Sequence, residues 1–541
     1  MTQQERDDVK GPRSATPQSR QHGSRTPSVF NSVAAMSAVA FFAIALTFLY
    51  RTPFSNSADS ENGTGSAHVS QAINTCGTLQ HLLGPSLVKL PSDAEYAGLR
   101  EENWSQTAWR HPSCIVSPTG ATEVAKALNV LVNDQVQFAI RSGGHSPMPS
   151  DSNIDTGVLI SLDKLDKVSY DAETGLASLS PGARWDAVYT ELDKYNVTIV
   201  GGRVMNVGVG GLTLGSGLSY LSDLYGLVCD NIVSYEVVLA DGRIVEASVN
   251  SNSDLFWGLK GGGNNFGIVT KFEAKTYPIV QTWGGIQVFS LDQTPALLQA
   301  LHEYQTTPNK DPYANMVINL VPTNGTTLLT LVYLKPVERP AAYAPFYALS
   351  PVFEQTGFMT LHQLMALFPA STLPRWTWYV HGFQPDSALY GELATLFTTA
   401  PEIATIGALQ GGSLIAAVQP ISADSVRAGR ASNGGVGNAL GLQAVDQTWW
   451  SISVAWWNAT DDAAAYAAAA SMAGKIGAAA AAAGAGLDYI FMNDANTNQS
   501  VIASYGETNV RRMQAVQKIY DPNLVFQKLV PGGQKIPTYN S

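Results

Sequence analysis

Arg141-Ser142-Gly143-Gly144-His145-Ser146 follows a short apolar run, Val136 to Ile140, and reads as a loop leaving a strand. Paired glycines let a backbone come close to a bulky ligand and tolerate positive φ. The loop presents one imidazole beside that backbone. An imidazole held against a flat ligand can bond to it covalently as well as touch it. Taken alone, the hexapeptide also reads as a Gly-rich turn with an incidental histidine. Two further Gly-rich segments bear on the choice.

The second segment runs Gly201-Gly202, then Gly208-Val209-Gly210-Gly211, then Gly215-Ser216-Gly217. Runs of small residues let backbone N–H groups point at phosphate oxygens. This one is not a dinucleotide fingerprint, because Thr213 stands where the third glycine is required. The third segment, Lys260-Gly261-Gly262-Gly263-Asn264-Asn265-Phe266-Gly267, carries a triple glycine into a strand. That costs backbone entropy and needs a reason. No Walker A loop is present, since Gly474-Lys475 is followed by Ile476. There is no Gly-x-Ser-x-Gly elbow and no His-Glu-x-x-His helix. The eight histidines and three cysteines do not cluster at metal spacing, so no metal is expected.

The chain has 541 residues, enough for two or three domains. Its 45% apolar and 14% charged content suits a large packed protein. A net charge of −11 with scattered Lys and Arg argues against nucleic acid. A small, largely uncharged substrate is the expected partner.

Residues 1–31, rich in Ser, Pro, Gln and Arg, read as a disordered cytoplasmic tail. Val33 to Tyr50 is apolar except for Ser37 and Thr47. At about 1.5 Å per residue it just spans a bilayer core of about 30 Å. Residues 32–50 are therefore read as a signal anchor, with a cleaved signal peptide as the alternative. Arg13, Arg20 and Arg25 ahead of it keep the N-terminus cytoplasmic. Either way the rest of the chain enters the secretory pathway, as a type II membrane protein or a secreted one. Six Asn-x-Ser/Thr sequons agree, at Asn62, Asn103, Asn196, Asn324, Asn458 and Asn498. Oxidising surroundings would permit a Cys76–Cys114 disulfide, leaving Cys229 as a buried thiol.

Residues 51–70 read as a linker and 71–109 as a helical lead-in. From 110 to 279, strands and Gly-rich turns alternate with helical pieces. Thr119 to Val132 reads as a helix. Val136–Ile140, Val158–Leu162, Ala177–Leu179, Ile232–Leu239 and Gly267–Lys275 read as strands, and Asp241-Gly242 as a hairpin turn. From 280 to 487, alternating stretches such as Ile286–Phe289, Met316–Val321 and Thr327–Tyr333 suggest an antiparallel sheet. Asp461 to Ala483 is Ala-rich helix. Residues 488–541 return to Asn, Asp and Gly and close back on the first module.

The three loops together resemble the flavin-binding module of the berberine bridge enzyme-like flavoproteins. These belong to the vanillyl-alcohol oxidase and p-cresol methylhydroxylase superfamily. The resemblance spans roughly 75–536. It rests on Arg141 to Ser146, Gly208 to Gly217, Cys229-Asp230-Asn231, Leu255 to Gly267, and Tyr520-Asp521-Pro522-Asn523 with Val525-Phe526. Met492-Asn493-Asp494 and Pro531-Gly532-Gly533 place it nearest the fungal secondary-metabolism branch. The expected class is α+β: a two-subdomain FAD-binding module and an antiparallel-sheet substrate domain behind an N-terminal membrane anchor.

The resemblance implies FAD, with the cofactor site formed by Arg141, Ser142, Gly143, Gly144, His145, Ser146, Val207, Gly208, Gly210, Gly211, Gly215, Ser216, Gly217, Asp230, Asn231 and Asn493. His145 matches the residue that bonds the flavin 8α-methyl carbon. Val204 stands where many members carry a second, cysteinyl link, so one bond is expected. Val207 matches the oxygen gate of members that reduce dioxygen to peroxide. Phe491 replaces a common tyrosine.

The catalytic base does not carry over. The strand Gly412 to Pro420 matches the one that bears the family's carboxylate or tyrosine, and it holds no acid. Gln419 is its strong polar residue, with Tyr379 and His381 on Trp376 to Phe383 as further candidates. The expected activity is oxidation of a natural-product intermediate, with dioxygen reoxidising the flavin. A secreted carbohydrate oxidase and a non-redox cyclase or scaffold are the alternatives.

Overall fold

A computed structural model describes residues 64–367 and 371–538. The expected tail and anchor lie outside them. Among the described residues, no helix is long and apolar enough to cross a membrane.

The first sheet holds Val88–Lys89, Cys114–Val116, Val158–Ser161 and Phe138–Arg141, in that spatial order. Val158–Ser161 runs parallel to both of its neighbours. Its four residues are all buried, as a parallel strand covered on both faces requires. Helices Thr64–Leu83 and Ala121–Asn133 supply part of that cover, burying Ala72, Leu79, Val124, Leu128 and Leu131. The first helix starts at Thr64, so residues 64–70 are helical where a linker is expected. Ala72, Cys76 and Leu79 recur at helical spacing and pack inward, and this carries the turn preceding them. A Cys76–Cys114 disulfide ties the helix to the sheet. Cys229 is a buried free thiol.

The second sheet is antiparallel, in the order Val168–Asp171, Leu176–Leu179, Ile268–Tyr277, Ile232–Val238, Ile244–Ser248. Asp241-Gly242 makes the turn between Ile232–Val238 and Ile244–Ser248, and Gly242 takes φ +79°. The C-terminal segment returns to the first sheet. Asp521 accepts from the N–H groups of Val525 and Phe526, at 2.8 and 2.9 Å. That turn sets Phe526 edge-on to Phe138.

The large sheet has eight antiparallel strands, in the order Phe353–Met359, Thr282–Ser290, Thr326–Tyr333, Ala314–Val321, Ser413–Ile421, Gln447–Trp456, Arg375–Phe383, Gly486–Leu487. Its register sorts residues onto two faces, because side chains alternate along a strand and directly paired residues point the same way. Trp450, Ile452 and Val454 pair with Val418, Ala416 and Leu414. They pack with Asp462–Ala482 and Ser387–Thr399, which form the outer helix layer. Val317, Val332, Val380 and Trp449 lie on the other face and share a core with the second sheet.

The disulfide closes a separation of 38 residues. By the chain-entropy estimate it is worth about 4 kcal/mol. The double variant Cys76→Ser/Cys114→Ser should therefore unfold at clearly lower urea concentration. An unchanged midpoint would mean that helix packing alone holds this corner.

Candidate FAD site

The two glycine loops touch backbone to backbone. A Cβ on Gly143 would lie 2.5 Å from both Cα and N of Gly208, and one on Gly208 would lie 2.4 Å from Gly143 N. Real Cβ atoms do not approach that closely, so the contact requires glycine on both sides. Around it, Ser142 Oγ donates to Pro181 O and accepts from Gly210 N at 3.1 Å. Arg184 Nη1 donates to Gly143 O at 2.5 Å and Asn206 O at 2.7 Å. One guanidinium thus bridges both loops, and charge-assisted bonds of this kind are the strong ones.

Gly144, at φ +60°, turns the chain so that its carbonyl accepts from Trp104 N at 2.9 Å. Trp104 stacks on the His145 ring, centroids 4.4 Å apart and 7° from parallel. Behind it stand Trp376 and Trp378 of the large sheet, at 4.7 and 6.3 Å. Burial first, and then the Arg184 charge, push the His145 pKa down to about 4. The imidazole is neutral near pH 7 and keeps a free lone pair, the form in which it is a nucleophile.

Trp104 Nε1 is buried without a hydrogen-bond partner, and His145 Nε2 and Asn206 Oδ1 are buried without a well-formed one, although Asn206 is near enough to act on the imidazole. Buried polar atoms are nearly always satisfied, so such a group marks a place where a ligand completes the structure. An aromatic, polar-edged cofactor fits, set against glycine backbone with a neutral imidazole at its rim.

The remaining expected cofactor residues divide into those that build the loops and those set deeper. Arg141 presents no guanidinium to a ligand. That group is buried, donating to Glu102 Oε2 at 2.7 Å, Ser161 Oγ at 3.0 Å and Asn103 Oδ1 at 3.3 Å. Ser146 Oγ donates to Asp151. Asn493 clasps the second loop: its Oδ1 accepts from Gly217 N at 3.0 Å, and its Nδ2 donates to Gly211 O and Leu212 O. Its amide lies where a Gly215 Cβ would go, 2.4 Å from that position. Ser216 holds φ +100° in the same turn. A Cβ on Gly211 would meet nothing within 4 Å, while Val207 packs against the core and its carbonyl accepts from Trp185 N.

Asp230 and Asn231 are buried and spent on structure. Asp230 accepts from Leu227 N and Asn438, and Asn231 donates to the Tyr225 and Leu227 carbonyls. The third loop is tied to the chain's end, with Asn265 Nδ2 donating to Gln534 O and Lys535 Nζ to Asn264 Oδ1.

The three residues offered for catalysis part company. Tyr379 and His381 pair with Ile452 and Trp450, which puts them on the helix-covered face. A Cβ on Gly477 of the Asp462–Ala482 helix would lie 2.9 Å from His381 Cε1. Neither residue shares a face with Gln419, and both are withdrawn as site residues. Gln419 pairs with Trp449, on the face turned to the second sheet. There it meets Arg203, which motif reading did not name, and Asp494, which it named only within Met492-Asn493-Asp494. Arg203 Nη2 donates to Gln419 Oε1, and Gln419 Nε2 donates to Asp494 Oδ2 at 2.9 Å. Asp494 directly follows Asn493, and that adjacency was the available signal.

Asn103 is a buried structural residue and no exposed sequon. Its side chain is buried, with Nδ2 donating to Ser152 and Oδ1 accepting from Arg141 and Asn153. A glycan there would break the support of the first loop.

Residues 112–248 match the FAD binding domain family. The chain is 39% identical over 468 residues to an FAD-dependent monooxygenase of Arthrobotrys oligospora, covering 85% of this chain and 89% of that protein. It is 35% identical to the bifunctional solanapyrone synthase of Alternaria solani, covering 87% and 90%. Among solved structures, the xylooligosaccharide oxidase of Myceliophthora thermophila aligns with a TM-score of 0.71 at 20% identity, over 87% of this chain and all of that one. The glucooligosaccharide oxidase of Acremonium strictum, described with a 6-S-cysteinyl, 8α-N1-histidyl FAD, gives 0.71 at 19%, over 86% and 100%. The chain belongs to the family of these FAD-dependent relatives and is an FAD-dependent oxidoreductase, with the fold of the solved oligosaccharide oxidases.

Gly208→Ala should lower stability by about 1–3 kcal/mol, the usual cost of overpacking. Chemical denaturation checks it. A variant as stable as the parent would show that the loops have room to part.

Proposed function

We propose that this chain is an FAD-linked oxidase that binds its flavin covalently through His145 and oxidises a small organic natural-product intermediate. The carrying observation is the neutral, buried His145 ring, stacked on Trp104 at the edge of the two glycine loops.

When bound, FAD supplies a two-electron acceptor that takes hydride from the substrate and is reoxidised by dioxygen, giving hydrogen peroxide. The chain's own part is to bind, orient and exclude water. The backbones of Ser142–Ser146 and Gly208–Gly217 would hold the cofactor, and His145 would bond its 8α-methyl carbon. Val204 carries no nucleophilic atom, so no second bond would form at that position. Val207, a small side chain beside Gly208, would leave dioxygen a path. Trp104, Trp376 and Trp378 would wall the substrate space with apolar surface. On this reading 110–279 with 488–541 holds the cofactor, and 280–487 holds the substrate.

The fungal relatives' names favour a natural-product intermediate. The carbohydrate oxidases are similar at 19–20% identity, which speaks to the fold alone. Export through the secretory pathway, with residues 32–50 as the anchor or leader, is part of the same proposal. It accords with the Cys76–Cys114 disulfide and with exposed sequons at Asn196, Asn324 and Asn498.

His145→Ala should abolish flavin fluorescence that stays with the denatured protein band, while parent protein keeps it. Peroxide should appear when the parent meets its substrate. Flavin released from denatured parent protein would contradict the covalent link.

A further inference from the structure

A carboxylate stands where strand Ser413–Ile421 offers none. Asp494 comes from the C-terminal segment, Gln419 from the large sheet, and Arg203 from the turn just before Gly208. The three meet in one line: Arg203 donates to the Gln419 carbonyl oxygen, and the Gln419 amide donates to Asp494 Oδ2 at 2.9 Å. Arg203 lies over the Tyr220 ring at 5.6 Å, and the Ser451 hydroxyl lies beside Asp494. Ser451 pairs with Ala417, two residues from Gln419 on the same sheet face.

The position of Asp494 is fixed from both sides. Asn493 is locked to the Gly208–Gly217 loop, and the next carbonyl, Ala495 O, accepts from Trp378 Nε1 at 3.2 Å. Trp378 also stacks on Trp104, which stacks in turn on His145. The carboxylate therefore sits between the cofactor loop and the aromatic wall.

Three other buried carboxylates take backbone N–H groups among their donors. Asp521 accepts from two N–H groups, Asp230 from Leu227 N, and Asp151 from Gly533 N. Asp494 is held by side chains, and no cation touches it among the described residues. Arg203 acts on it through the Gln419 amide. Burial pushes the Asp494 carboxyl above its ordinary range, and the Gln419 bond, the Arg203 charge and Ser451 pull it back. Arg203 and Tyr489 are the titratable groups facing it.

We propose that Asp494 is the proton acceptor of the reaction, with Gln419 as its positioning residue and Arg203 as the charge that keeps it ionised. This rests on the oxidase reading above. The substrate class follows: an alcohol whose O–H points at Asp494. The O–H bond breaks and its proton goes to the Asp494 carboxylate. The electron pair left on oxygen would form the carbonyl as the C–H hydrogen leaves with its two electrons, for which FAD, when bound, would be the acceptor. A carboxylate with a raised pKa is a stronger base than an exposed one and suits this task.

Two measurements on flavin-loaded protein test it. The first needs no substrate: infrared difference titration of the carboxyl band, comparing parent with Asp494→Asn and Gln419→Leu. The band lost in Asp494→Asn should titrate above the ordinary carboxylate range and shift upward in Gln419→Leu. A band in the ordinary range, unmoved by Gln419→Leu, would overturn the proposal. The second is anaerobic flavin bleaching with a panel of allylic and benzylic alcohols. Asp494→Asn should bleach on the order of 10²–10⁴-fold more slowly with flavin retained, and Asp494→Glu should recover part of the rate. Parent-like bleaching by Asp494→Asn would also overturn it. Parent protein that holds flavin but bleaches with no alcohol would instead count against the oxidase reading, and the infrared titration would still decide on Asp494.

Discussion

The site depends on one contact, the packing of Gly143 against Gly208 with no room for a side-chain atom on either. It joins a loop that leaves the first sheet to a turn that opens a short helix, Val209–Leu214. Arg184 clamps the joint by bonding a carbonyl on each side. From this fixed point the chain runs one way to His145 and the other way back to Arg203. The imidazole and the Arg203–Gln419–Asp494 line are thereby set on either side of the same turn. Dissociating the two loops would displace both groups together.

Burial then decides the chemistry of each group. His145 loses its charge because a cation beside Arg184 in a dry environment is unfavourable. Arg141 keeps a guanidinium in the interior because Glu102, Ser161 and Asn103 satisfy it. Asp494 is the intermediate case, a carboxyl raised by burial and partly restored by an amide that relays a distant cation. A neutral nucleophile and a strengthened base can coexist close together at neutral pH because their surroundings move them in different directions from their ordinary values.

Much of this was legible in the residues. Ile232–Leu239 was expected and Ile232–Val238 is found, and the Ala-rich helix begins and ends within one residue of its expected bounds. These elements carry strong local periodicity or propensity. The three glycine loops were legible because glycine has few reasons to recur. Partners in the large sheet were not. Tyr379 and His381 look as eligible as Gln419 until the register pairs them with Ile452 and Trp450. Strand register is set by the neighbouring strand, so the outward face of Arg375–Phe383 cannot be read from that segment alone. Asp494 was overlooked for the same reason: its partners lie 75 residues away at Gln419 and, through it, a further 216 residues away at Arg203. Likewise the Asn103 sequon is visible as a string, but only its burial beneath the first loop shows that it is structural.

The central claim is a covalent bond between His145 and the flavin. The most direct measurement is mass spectrometry of the proteolytic peptide that contains His145, taken from protein purified with its yellow colour. The account predicts that peptide carrying the mass of the flavin, with fragmentation placing the addition on His145 and on no cysteine. An unmodified peptide, with all flavin recovered free, would contradict it.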